Sequence, residues 1–245
     1  EWVREHNAPT VDELTGSERF TELDADALEI LDTDDRIPYV RRRGDFLYNF
    51  WRDAAHPRGL WRRTTLDSYR TEAPDWDVLI DVDALAETED ENWVWAGAAM
   101  NRPDYDRALI SLSRGGADAA VVREFDLPTR TWVPDGFELP EAKSSVGWID
   151  RDTVFVFTDF GEGTLTESGY PRIVKEWKRG TPMEAAEVVY EGNADDMYIS
   201  ARRDLTPGYE REFVSRSIAF YNDKADIDNL VTGLGQVWSI FNGRN

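Results

Sequence analysis

Gly115 and Gly116 sit between two apolar runs in "RALISLSRGGADAAVVREFDL", residues 107–127, with Ser113 and Arg114 just ahead of them. Glycines beside a serine could serve two chemistries. A phosphate-cradling loop needs GxxxxGK[ST], and a nucleophile elbow needs GxSxG where a strand turns into a helix. Neither pattern is met, because no lysine follows the glycines and the next run is again strand-like. Glycine supplies positive φ in tight connections, so the stretch reads as a hairpin turn with Ser111 and Ser113 on or at the end of a strand. A Ser-His-Asp triad needs a histidine base, and the chain has only His6 and His56. His6 falls in an N-terminal helical region and His56 in the turn "AAHPRG", so both read as surface residues. No catalytic residue, metal site or cofactor is assigned.

With 49 Asp and Glu residues, carboxylate pairs of the kind used in glycoside hydrolysis arise by number alone. Asp159 and Glu162, in "FTDFGEG" after an apolar run, form the best-placed pair. The connection that holds them, "DFGEGTLTESGYPR" from Asp159 to Arg172, is long for a hairpin, glycine-rich and polar. Long loops on rigid scaffolds often bind or gate. The ten tryptophans read mostly as packing residues, with an aromatic sugar platform as the alternative.

The elements that would carry these residues follow from pattern. At 245 residues, 41% hydrophobic and 31% charged, the chain reads as globular and can bury a substantial core. No run approaches the roughly 18 apolar residues of a membrane span, and the polar start "EWVREHNAPT" is no signal sequence. The absence of cysteine removes disulfides and thiolate chemistry and fits a reducing compartment. A cytoplasmic location is expected, although an exported chain cleaved after its signal would read the same. The net charge of −21 argues against nucleic acid or an anionic membrane as partner.

Leu14, Phe20, Leu23, Leu28 and Leu31 fall at near-helical spacing, which predicts two short helices joined near Gly16, with Thr10 and Ser17 as N-caps. This segment, 1–36, precedes a change of period. From Ile37 onward short runs rich in β-branched and aromatic residues follow one another, bounded by Gly, Pro, Asn or Asp. Val78, Ile80 and Val82 alternate with polar neighbours, as in a strand with one wet face. Val154 to Phe157 are continuously apolar, as in a strand covered on both faces. The runs group as Ile37–Leu85, Trp93–Val133 and Ser144–Gly192, and a fourth group starts at Met197. That spacing matches four-stranded propeller blades better than a sandwich. The expected fold is all-β, a partial β-propeller of about three to four blades over 37–222. A tail, 223–245, places Ile227, Leu230, Val231, Leu234, Val237, Trp238 and Phe241 on one helical face, so it is expected to be helical.

These residues resemble a family. "WVREHNAPTVDEL", "GDFLYNFWRD", "GLWRRTTLDSY", "WDVLIDVDALA" and the run from "GFELPEAKSSVGWID" to "KEWKRGT" look like the amino-terminal part of bacterial prolyl oligopeptidase family proteins, from Glu1 to about Tyr221. The resemblance implies a seven-bladed propeller covering an α/β-hydrolase domain that carries the triad and cleaves short peptides. It implies that this chain holds the N-terminal helices and about half the propeller, without the triad region. By its position in the third blade, the Asp159–Arg172 loop is similar to a mobile family loop that helps gate access. Asp159, Glu162, Thr166, Tyr170 and Arg172 are therefore the expected substrate-gating residues. The implied partners are the parent's hydrolase domain and short peptides. The second reading is an interaction module that forms a homodimer through its open blade edge or the tail helix.

Overall fold

The computed structural model describes residues 2–33 and 35–218. The tail expected to be helical, 223–245, lies outside the described residues. Two helices open the chain, α1 (Trp2–Thr15) and α2 (Glu18–Asp32). Ser17 caps α2, its hydroxyl accepting from the Phe20 amide at 3.1 Å. Thr10 does not start a helix as expected. It lies inside α1, where its hydroxyl donates to the His6 carbonyl at 2.8 Å and so is satisfied without a capping role. Leu14 on α1 and Leu23, Leu28 and Leu31 on α2 are exposed.

The strands then come as successive antiparallel meanders. The first sheet holds β1 (Arg41–Arg43), β2 (Phe46–Trp51) and β3 (Leu60–Thr65) and, after the short helix α3 (Leu66–Tyr69), β4 (Asp77–Asp81). Helix α4 (Val82–Glu89) leads to the second sheet, β5 (Trp93–Met100), β6 (Arg107–Arg114), β7 (Ala120–Asp126) and β8 (Thr131–Trp132). That sheet gains a fifth strand, β9 (Glu138–Ala142), paired with β7. The third is β10 (Ser145–Trp148), β11 (Thr153–Phe157), β12 (Ile173–Lys178) and β13 (Glu187–Glu191), and β14 (Asp196–Asp204) pairs with β15 (Arg211–Ile218) in the fourth. A series of meanders of this size is the architecture of a partial propeller. No described helix is long and apolar enough to cross a membrane.

The Gly-Gly stretch is a turn. Leu112 faces Val121 across the β6–β7 ladder, and Gly115 and Gly116 take φ of +64° and +82° between the strands. The alternation expected over Val78, Ile80 and Val82 is corrected. The β3–β4 register slips between Trp61 and Arg62, so Leu79 and Ile80 are both buried while Val78 is exposed. Val82 is not in the strand at all. The Asp81 carboxylate accepts from the Asp83 and Ala84 amides, both at 3.0 Å, and so starts α4 there.

The chain divides into two compact units, Glu1–Glu141 and Ala142–Asn245. The first is built on Tyr48, Trp61, Ile80, Trp93, Ile110 and Phe125, with Trp61 tilted against Trp95 at 5.5 Å. The second is built on Phe155, Phe157, Val174 and Ile199. All five residues of β11 are buried, as expected of a strand covered on both faces.

Candidate functional site

The connection from β11 to β12 is a polar excursion hung from a fully buried strand. Its far half is tied down. Leu165 bridges to Pro171, and the Thr166 amide donates to the Tyr170 carbonyl at 2.7 Å. The Thr166 hydroxyl is 5% exposed as part of its residue and accepts from the Tyr170 amide at 3.1 Å, so this threonine closes the turn from inside. Arg172 clamps the base. Its Nε donates to the Gly163 carbonyl at 2.8 Å, and its Nη1 donates to Glu191 Oε1 at 2.6 Å and to the Gly192 carbonyl at 2.8 Å. The Tyr170 ring meets Tyr198 edge-on at 6.0 Å and lies under the Lys143 ammonium at 4.5 Å.

The near half forms the tip. Asp159 Oδ1 accepts from the Gly161 amide at 2.8 Å, an Asx turn that starts the excursion. Gly161 and Gly163 take φ of +112° and +77°, which side-chain-bearing residues rarely adopt. Glu162 stands exposed between them with no partner among the described residues. Of the five predicted residues, Thr166, Tyr170 and Arg172 thus form the anchored base, while Asp159 and Glu162 shape the tip. The loop offers an exposed carboxylate and an aromatic ring on a hydrogen-bonded base, the makings of a contact surface.

The histidines are engaged locally. His6 Nδ1 lies 2.9 Å from the Trp2 carbonyl and its ring stacks on Trp2 at 4.2 Å. His56 Nδ1 lies 3.0 Å from Asp53 Oδ1, and Asp53 Oδ2 accepts from the Trp51 indole at 2.9 Å. Burial pushes the Asp53 carboxyl up, but these hydrogen bonds and the neighbouring imidazole hold it below the usual aspartate value. Among the described residues no group of three or more His, Cys, Asp or Glu is placed to hold a metal ion.

Residues 1–206 match the family model described as prolyl oligopeptidase, N-terminal beta-propeller domain. The chain belongs to the prolyl oligopeptidase family. An uncharacterized peptidase of Sinorhizobium fredii is 42% identical over 227 residues, covering 90% of this chain and 31% of that protein. A second, from Rickettsia prowazekii, is 31% identical over 90% of this chain and 32% of its own length. A solved structure of a post-proline cleaving enzyme from Rickettsia typhi superposes with a TM-score of 0.81 at 32% identity, over 90% of this chain and 33% of that one. Oligopeptidase B from Leishmania major shares the fold at a TM-score of 0.53 and 16% identity, over 67% of this chain and 22% of its own. The chain spans about a third of the length of the curated relatives it matches. It thus carries the N-terminal propeller portion of a prolyl oligopeptidase family protein.

Sequence reasoning passed over a second feature of this propeller portion. In the first unit, Arg36, Arg52, Phe50, Trp51 and Trp95 help to line a cleft of about 650 Å³. A signal was present, since residues 36–63 hold eight arginines against two aspartates, a local charge of +6 in a chain of −21.

Proposed function

We propose that this chain is the access-limiting propeller portion of a serine peptidase acting on short peptides, with the bond cleaved by a hydrolase domain of the same protein. The observation that carries this reading is the superposition, over nine-tenths of the chain, on an enzyme described as post-proline cleaving. Its role in the parent is steric, excluding large substrates from the hydrolase domain. The Asp159–Arg172 loop shapes that access, with Asp159 and Glu162 at its tip and Thr166, Tyr170 and Arg172 as its support. A cytoplasmic place is supported by the absence of cysteine.

The test has two arms. The purified 245-residue chain gives no turnover of a chromogenic prolyl peptide, and turnover would mean that the chemistry lies within it. In the full-length peptidase, Tyr170→Ala and Arg172→Ala change kcat/KM for that peptide, and unchanged kinetics would remove the gating role. Mass in solution of the chain reads out the second reading, self-association. It is favoured by β15, which among the described residues pairs on one side only and leaves Val214 and Ile218 exposed.

A further inference from the structure

We propose that the arginine and aromatic cleft beside β2 binds a peptide carboxylate, with the peptide's apolar side chains lying against Phe50 and Trp95. The cleft of about 650 Å³ and one of about 380 Å³ adjoin, sharing Tyr39, Asn49, Phe50 and Trp95 in their walls, and together are called the groove. Arg36 and Arg52 line the larger part, and Arg41 and Arg43 the smaller. Among the described residues no carboxylate lines either part. None of the four arginines makes an ion pair with any described residue. In a chain with 49 acidic residues, four guanidinium groups on one groove lack a described carboxylate partner, although Arg36 and Arg43 also donate to backbone carbonyls, and this leaves positive charge for an anion.

The floor of the groove is built. Asn49 is 6% exposed, donates to the Tyr39 carbonyl at 2.9 Å and accepts from Arg62 Nε at 2.9 Å. The Arg62 guanidinium packs on Trp51 at 4.5 Å and Trp76 at 4.1 Å, and the Arg36 guanidinium packs on Trp51 at 4.7 Å. Arg36 Nε is also fixed by the Thr33 carbonyl at 2.9 Å. Phe50 and Trp95 stack at 5.0 Å with planes 13° apart, and the Arg52 guanidinium stands over the Phe50 ring at 5.6 Å, so this aromatic platform and a positive charge lie side by side.

These features select the ligand. The guanidinium fork matches a carboxylate bidentately, and the aromatic platform favours an apolar or proline ring beside it. The volume suits a few residues. A polyanion such as nucleic acid meets the net charge of −21 over the rest of the chain and is repelled. A short peptide combines one carboxylate with apolar side chains. The carboxylate has two sources, the chain terminus or an acidic side chain.

Calorimetry on the 245-residue chain separates them, with Gly-Pro-Phe free acid, Gly-Pro-Phe amide and Glu-Pro-Phe amide as probes. The free acid binds, and Gly-Pro-Phe amide binds about tenfold more weakly or not at all. Glu-Pro-Phe amide regains the affinity if a side-chain carboxylate suffices and stays weak if the terminus is required. Arg41→Gln with Arg52→Gln lowers affinity for the best-binding peptide about tenfold, whereas Arg4→Gln on α1 leaves it unchanged. The proposal is overturned if acid and amide bind equally, or if no peptide binds up to about 10 mM. It is also overturned if the folded double variant binds as the unsubstituted chain does. The choice of a peptide as occupant rests on the peptidase reading, and the two fail differently. Failure here leaves peptide turnover by the full-length protein intact, and failure of that reading abolishes it.

Discussion

Glu89 at the end of α4 gathers three hydrogen bonds. Its oxygens accept from Arg123 Nη1 at 2.8 Å and Nη2 at 3.0 Å, and Oε2 also accepts from the Trp93 indole at 2.7 Å. One carboxylate thus ties α4 to β5 and β7. Burial pushes this carboxyl up, but the Arg123 and Trp93 bonds and the guanidinium charge outweigh it and hold the group below the ordinary glutamate value of 4.5. A carboxyl with a lowered value in the folded state stabilises the fold fully above the unfolded value, and that contribution disappears as pH falls through the lowered one. Glu89→Gln should cost about 1 kcal/mol at pH 7, between the values for an exposed ion pair and a buried charged hydrogen bond because part of the pair faces water. Urea unfolding at pH 7 and pH 3 checks both claims, since the gap between the two proteins should shrink at pH 3. A second residue-scale prediction concerns Gly59, whose φ is +105° and whose added Cβ would stand 2.5 Å from Phe50 Cζ and 2.9 Å from the Trp51 carbonyl oxygen. Gly59→Ala should destabilise by more than about 2 kcal/mol. Gly116→Ala, at φ of +82° with nothing within 4 Å, should cost only about 1 kcal/mol. Denaturation midpoints of the two variants give the comparison.

At the scale of elements, the loop between β11 and β12 is held by the Arg172 guanidinium as well as by its own turn bonds. Three of the groups that its guanidinium contacts lie on two segments, the Gly163 carbonyl in the loop and the Glu191 carboxylate and Gly192 carbonyl at the end of β13. Arg172→Ala should therefore speed amide hydrogen exchange at residues 161–170 while leaving β11 protected, because that strand is buried along its whole length. Equal protection in the variant would show that the Thr166 turn alone holds the loop. This division also explains what could be read from sequence. The strands were legible because β-branched and aromatic runs are punctuated by Gly, Pro and Asp, and that punctuation also located the Gly115–Gly116 turn and the Asp159–Arg172 excursion. Helix α4 was hidden because the register slip at Trp61 and the Asp81 cap break the alternation without any residue foreign to a strand. Strand β9 was hidden by Pro140 within it. The clamp at Arg172 and the groove arginines depend on partners brought near by strand pairing, which local periodicity does not encode.

At the scale of the whole molecule, charge acts with opposite signs in two places. The chain carries −21 overall, and its carboxylates repel one another in the compact state. Raising NaCl from about 20 mM to about 500 mM shortens the screening length from about 20 Å to about 4 Å, which removes most of that repulsion. The same salt weakens exposed ion pairs such as Arg114 with Glu91 and Glu141, but pairs of this kind contribute little each. The repulsion term should win, so Tm should rise with salt. The groove responds the other way. Its arginines attract a carboxylate by charge, so affinity for the peptide acid should fall over the same salt range in which the fold gains stability. Thermal scans and calorimetry run across one salt series test both. A falling Tm would show that the ion pairs outweigh the repulsion, and a salt-insensitive peptide affinity would show that the aromatic platform, not the arginines, holds the ligand.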